Sequence, residues 1–170
     1  TEAHLITLSD APARVRGAVD MALLDLKGKL AEAPVYDVLA GRTRDKARAV
    51  AALSGANESE LTDAVAVARD TGYRAFSVPV QLPEESPTRG KRFFVETEMM
   101  LRRLRDAGAD DLVLDCGGRT TAAEAAGLAA RLEGSHLMWL DEPTDEINDE
   151  TLKKISHDTV TPVGWGRHFT

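Results

Sequence analysis

Three acidic residues stand where short apolar runs end. Leu112-Val113-Leu114 runs into Asp115, and Leu137-Met138-Trp139-Leu140 runs into Asp141-Glu142-Pro143. If both runs are buried strands, each delivers a carboxylate at its carboxyl end. Between them Thr121 and Glu124 have the spacing of a capping box. Ala125, Ala126, Leu128, Ala129 and Leu132 form an apolar face, and Gly134 is placed to end that helix in the left-handed conformation. Strand, helix, strand is a βαβ unit. Its right-handed crossover sends both strand ends to one side of the sheet, so Asp115 and Asp141 or Glu142 are expected at a common mouth. Oxygen ligands gathered in that way suit a hard cation such as magnesium. The competing reading is that these acids only cap the helices that follow, where the helix dipole favours negative charge. Spacing alone leaves the two level.

Other reactive side chains have weaker support. His168, beside Arg167 at a strand end, has the unperturbed pKa of a general acid or base, although a lone loop histidine is more often without a chemical role. Cys116 adjoins Asp115 but has no histidine partner in sequence, which favours packing over nucleophilic catalysis. The guanidinium of Arg119 matches a substrate carboxylate, and equally well an ion pair with Glu124. The charged, proline-containing stretch from Pro83 to Arg89 follows the second expected strand on the same side as the acids, where loops carry specificity.

The elements that must position these groups follow from hydrophobic spacing. Val15, Val19, Ala22, Leu23, Leu26 and Leu30 recur at helical intervals from Asp10 to Leu30, and the face of Val19, Leu23, Leu26 and Leu30 is expected to be buried. Pro34 ends that helix, and a short turn of helix follows from Val35 to Leu39. Strands are expected at 47–53, 75–80, 112–114, 137–140 and 160–165, alternating with helices that start near Asn57, Lys91, Thr121 and Asn148; Gly72 and Gly108 stop two of them. The strand pitch of about 25 to 35 residues is that of repeated βα units. After the first strand, Ser54-Gly55-Ala56-Asn57 is not a dinucleotide fingerprint, so a (β/α) barrel fits better than a nucleotide-binding sheet. A closed barrel needs eight units. Five are expected here, so the chain reads as part of a larger polypeptide, or as a segment completed by a partner. Residues 1–45 form a helical part of a first domain, and 46–170 the first half of the barrel.

The 170 residues are 43% hydrophobic and 29% charged, proportions of a globular protein. A formal net charge of -7, with basic residues dispersed, argues against nucleic acid as a partner. The single cysteine excludes an internal disulfide framework. No apolar run approaches the roughly 20 residues that cross a bilayer, so no membrane is expected, and a cytoplasmic setting is the default. Thr1 in place of Met points to a processed or truncated start.

The run Asp20-Met21-Ala22-Leu23-Leu24-Asp25-Leu26-Lys27-Gly28-Lys29-Leu30, followed by Pro34-Val35-Tyr36 and Leu39-Ala40-Gly41, resembles the capping-domain helix of the mandelate racemase and muconate lactonizing enzyme branch of the enolase superfamily. Gly72-Tyr73, Asp115, Trp139-Leu140-Asp141-Glu142-Pro143 and Pro162-Val163-Gly164-Trp165-Gly166 follow its barrel strands in order, so nearly the whole chain is covered. The resemblance implies an α/β fold, about the first five units of a TIM-like (β/α)7β barrel preceded by capping-domain helices. It also implies magnesium held by acids on the third, fourth and fifth strands, and abstraction of a proton alpha to a carboxylate, the metal stabilising the enediolate. The flavour nearest to this chain is that of the acid-sugar dehydratases. The substrate would be a small carboxylate or sugar acid, and a homo-oligomer is expected.

Carried over position by position, Asp115 falls on the first metal ligand. Asp141 falls on the second, one methylene shorter than the usual Glu, with Glu142 as the fallback. The third ligand, a Glu after the glycine that ends the fifth strand, is replaced by Arg167, which repels a cation and has Asp141 or Glu142 as its natural partner. Ser77-Val78-Pro79 stands where many members carry Lys-x-Lys, and Gly117 where acid-sugar dehydratases place a His. The alternatives are a racemase, epimerase or cycloisomerase acting through the same enolate, and a non-catalytic paralogue that binds a carboxylate near Arg167.

Overall fold

The computed structural model describes residues 11–82, 89–146, 148–157 and 159–166. Two compact units divide near Arg48 and Ala49.

In the first unit, α1 (Ala13–Leu30) leads into α2 (Val35–Leu39), whose first turn is set by Pro34. The fixed φ of proline suits that position, and its missing N–H would be unsatisfied there in any residue. Lys27 and Lys29 in the last turn of α1 oppose the helix dipole, and Lys29 pairs with Asp25 one turn back at 2.7 Å. The expected burial of α1 is corrected here. Leu23, Leu26 and Leu30 are 54%, 53% and 79% exposed, and among the described residues of its unit the element that packs against this helix is the five-residue α2.

The second unit is a sheet of five parallel strands in sequential order, β1 (Ala51–Ala52), β2 (Ala75–Pro79), β3 (Asp111–Asp115), β4 (Trp139–Asp141) and β5 (Val163–Gly164). The connecting helices are α3 (Glu58–Asp70), α4 (Lys91–Asp106), α5 (Ala122–Arg131) and α6 (Asp149–His157). Sequential parallel order with one helix per crossover is the geometry of a partial (β/α) barrel.

Three of these helices, α3, α5 and α6, start where a side chain satisfies a free amide. Asn57 accepts from the amide of Glu60 at 3.0 Å, Asn148 from that of Thr151 at 2.9 Å, and Thr121 with Glu124 forms a reciprocal capping box. Gly72 and Gly108 follow α3 and α4 with φ of 102° and 97°, conformations that disfavour a Cβ. The expected glycine stop after α5 is corrected. A 3-10 turn, Glu133–Ser135, intervenes, and His136 rather than Gly134 takes the left-handed conformation, with φ 47°.

Alternation along the strands separates two faces. Phe76, Val78 and Val80, Leu112, Leu114 and Cys116, and Leu140 join a core with Leu61, Val65, Leu101, Leu104, Leu128 and Ile155 from α3 to α6. On the opposite parity Ser77, Pro79, Asp115, Trp139 and Asp141 remain partly exposed.

Candidate active site at the carboxyl ends of the strands

Asp115 and Asp141 end β3 and β4 as register partners, and Asp141 is in turn the partner of Gly164 on β5. The backbone holds this row at fixed height. The amide of Val80 donates to the carbonyl of Asp115 at 2.8 Å, that of Cys116 to Asp141 at 2.9 Å, and that of Glu142 to Gly164 at 2.9 Å. Both aspartates therefore project from the helix-free face at one mouth.

Their carboxylates are oriented locally. Asp115 Oδ1 accepts from the amide of Gly117 at 2.8 Å, and Asp141 Oδ1 from Trp139 Nε1 at 3.0 Å. Trp139 and Asp141 are two residues apart, so they share a face of β4. A Cβ on Gly164 would lie 2.7 Å from Asp141 Oδ1 and 2.8 Å from Trp139 Cδ1, so only glycine leaves room for this pair.

Glu142 is oriented otherwise. It is 3% exposed, has φ 43°, and its Oε1 accepts from the amide of Gly166 at 2.7 Å. Its own carbonyl accepts from Gly118 at 2.7 Å.

Arg119 closes the loop after β3. Its Nε reaches the carbonyl of Cys116 at 3.4 Å and its Nη2 that of Val80 at 3.2 Å. The ion pair of Glu124 is made by Arg89, 3.2 Å from Nη1 to Oε2, a partner that sequence reasoning missed because it lies a whole βα unit away. Burial works against ionisation of Glu124, but amide hydrogen bonds from Thr121 and Arg89 and the Arg89 charge outweigh it and hold the carboxyl below its ordinary range. Arg89, Arg119, Thr121 and Glu124 line a cleft of about 540 Å³ with Asp145 and Glu146. Cys116 is fully buried on the helix side; burial, then the Asp115 charge, pushes its thiol up to about 12, which suits packing and not nucleophilic attack.

Arg167, His168 and residues 83–88 of the loop after β2 lie outside the described residues. Among the described residues no group of three or more His, Cys, Asp or Glu side chains is arranged to hold a metal ion. Asp115 and Asp141 nonetheless match in kind what magnesium takes from a protein, one or two carboxylates with the remaining positions filled by water and substrate oxygens.

The family described as enolase C-terminal domain-like matches residues 60–170. A D-mannonate dehydratase of Rhizorhabdus wittichii is 31% identical over 177 residues, 89% of this chain and 44% of its own length. A D-galactonate dehydratase family member of Streptomyces bingchenggensis is 33% identical over 179 residues, 90% of this chain and 44% of its own. The chain thus spans less than half the length of these curated relatives. Among solved structures, an enolase from Pantoea ananatis with bound D-gluconate and magnesium superimposes with a TM-score of 0.69 at 25% identity, over 85% of this chain and 43% of that one. A mandelate racemase/muconate lactonizing enzyme-like protein from Rubrobacter xylanophilus gives 0.70 at 23% identity, over 83% and 42%, a likeness of fold. No described helix is long and apolar enough to cross a membrane.

Proposed function

Because the chain belongs to the enolase C-terminal domain-like family, we propose that it is part of a magnesium-dependent lyase that dehydrates a sugar acid by removing the proton alpha to its carboxylate. In such a dehydration a base takes the proton from Cα, the freed electron pair forms the Cα=Cβ bond of an enol, and the Cβ hydroxyl, protonated, leaves as water. The observation that carries the reading is the register pairing of Asp115 with Asp141 on the helix-free face of the sheet. Sugar-acid dehydratases among the relatives support the substrate class.

Asp115 and Asp141 would hold the ion. Magnesium there would supply Lewis-acid charge beside the substrate carboxylate. The indole of Trp139 orients the carboxylate of Asp141, and the amide of Gly117 that of Asp115, so the two carboxylates would be ordered before an ion arrived. Arg119 and Arg167 would bind the substrate carboxylate, and His168 would serve as general acid or base; these three roles rest on residue chemistry and on the family resemblance. Capping-domain membership of residues 1–45 and a homo-oligomeric assembly belong to the same proposal.

The rival reading is a non-catalytic paralogue that binds a carboxylate. Its support is Ser77, Pro79 and Gly117 where bases are expected, with Arg167 at the third ligand position. The deciding experiment incubates the full-length protein and Asp115→Asn with magnesium and a panel of sugar acids that includes D-mannonate, D-galactonate and D-gluconate. Loss of water from one acid, abolished by the substitution, is expected. Binding of an acid without turnover by the unmodified protein would favour the paralogue.

A further inference from the structure

We infer that Glu142 is a positioning residue, the brace that holds the loops after β3 and β5 in place around Asp141, and not a ligand; the inference rests on the metal-site reading given above. Consecutive acids at a strand end invite the assumption that either could ligate, and the geometry separates them. Asp141 keeps strand conformation and the parity of Asp115. At Glu142 the backbone turns to φ 43°, a conformation that disfavours a Cβ and persists only where surrounding contacts enforce it.

Three hydrogen bonds do so, each to a different glycine. The Glu142 amide donates to the carbonyl of Gly164 at 2.9 Å, its carbonyl accepts from Gly118 at 2.7 Å, and its Oε1 accepts from the amide of Gly166 at 2.7 Å. One residue thus fastens the loop after β3 to that after β5, with its side chain 3% exposed. A carboxylate bonded to a backbone amide is charge-assisted and short, and truncating it leaves that amide without this partner. Gly118 lies three residues beyond Asp115, and Gly166 two beyond Gly164, the neighbour whose missing Cβ accommodates Asp141. Releasing either loop lets Asp141 lose its distance to Asp115.

Glutamine tests the brace against ligation, because its amide oxygen can accept from Gly166 while its charge is gone. Amide exchange, thermal midpoint and calorimetric magnesium affinity are to be measured on the full-length protein and on Glu142→Gln and Glu142→Ala. The Ala variant should speed exchange at Gly166 and weaken magnesium binding, each by about tenfold or more. The Gln variant should restore both to within about threefold of the unmodified protein. Equal loss of magnesium affinity in the two variants, with Gly166 exchange unchanged, would make Glu142 a ligand and overturn the inference. Unchanged exchange in Ala would overturn it too. If no variant binds magnesium, the metal-site reading falls, and the contrast in exchange between Ala and Gln still decides the brace.

Discussion

Asp115 and Asp141 are Cα register partners at the ends of adjacent parallel strands, joined by the hydrogen bond from the Cys116 amide to the Asp141 carbonyl at 2.9 Å. A divalent ion bound by both should raise the thermal midpoint of the intact protein with magnesium concentration. Asp115→Asn should abolish that rise. An unchanged response would place the metal elsewhere.

Arg167 governs how tightly that ion binds in our proposal. A guanidinium stays charged at any accessible pH, and at the third-ligand position that the family resemblance gives Arg167 its repulsion would offset part of what two carboxylates contribute. Titration calorimetry should therefore show weak magnesium binding by the full-length protein and a gain on Arg167→Glu. Tight binding without the substitution would refute this role.

Gly164→Ala tests the slot beside Asp141. A Cβ at 2.7 Å from Asp141 Oδ1 and 2.8 Å from Trp139 Cδ1 must displace the carboxylate or the indole. Overpacking of this kind costs about 1 to 3 kcal/mol, and magnesium affinity should fall with it. Chemical denaturation with an unchanged midpoint would show that the strand yields freely.

The Arg89–Glu124 pair predicts an acid-dependent contribution to stability. The folded pKa of Glu124 is lowered, so its stabilisation is complete above the ordinary carboxylate value of about 4.3 and is lost as pH falls through the lower folded value. The stability difference between the unmodified protein and Glu124→Gln should hold constant from neutral pH down to that range and then shrink. A difference that persists unchanged into strong acid would mean that the charge of Glu124 is not what stabilises the cap.

Burial separates two leucines that look alike in sequence. Leu128→Ala in α5 should cost about 2 to 5 kcal/mol, since Leu128 is fully buried, whereas Leu23→Ala in α1 should cost under about 1 kcal/mol, since Leu23 is 54% exposed. Equal costs measured by denaturant unfolding would show that α1 is covered in the full-length protein.

What could be read in the sequence was whatever depends on near neighbours. The cap of α5 follows from Thr121 and Glu124 three residues apart, and the mouth from apolar runs that end in Asp115 and Asp141. The features missed depend on contacts between distant segments or on a few degrees of backbone. Arg89 meets Glu124 across a whole βα unit, and nothing in either neighbourhood announces it. His136 takes the left-handed turn because a 3-10 segment moves the helix end past Gly134. Trp139 was within reach, since two residues along a strand share a face, and an indole N–H two before an acid is a donor in position. The exposure of α1 shows the limit of periodicity, which identifies an apolar face without naming what covers it.

The parity of β3 and β4 has an evolutionary consequence. The buried residues Leu112, Leu114, Cys116 and Leu140 alternate with Asp115, Trp139 and Asp141, the side that would meet a ligand in our proposal, so a single strand can answer to two separate demands. A lineage could then exchange acids and bases on one side while the other side keeps the chain folded throughout the change.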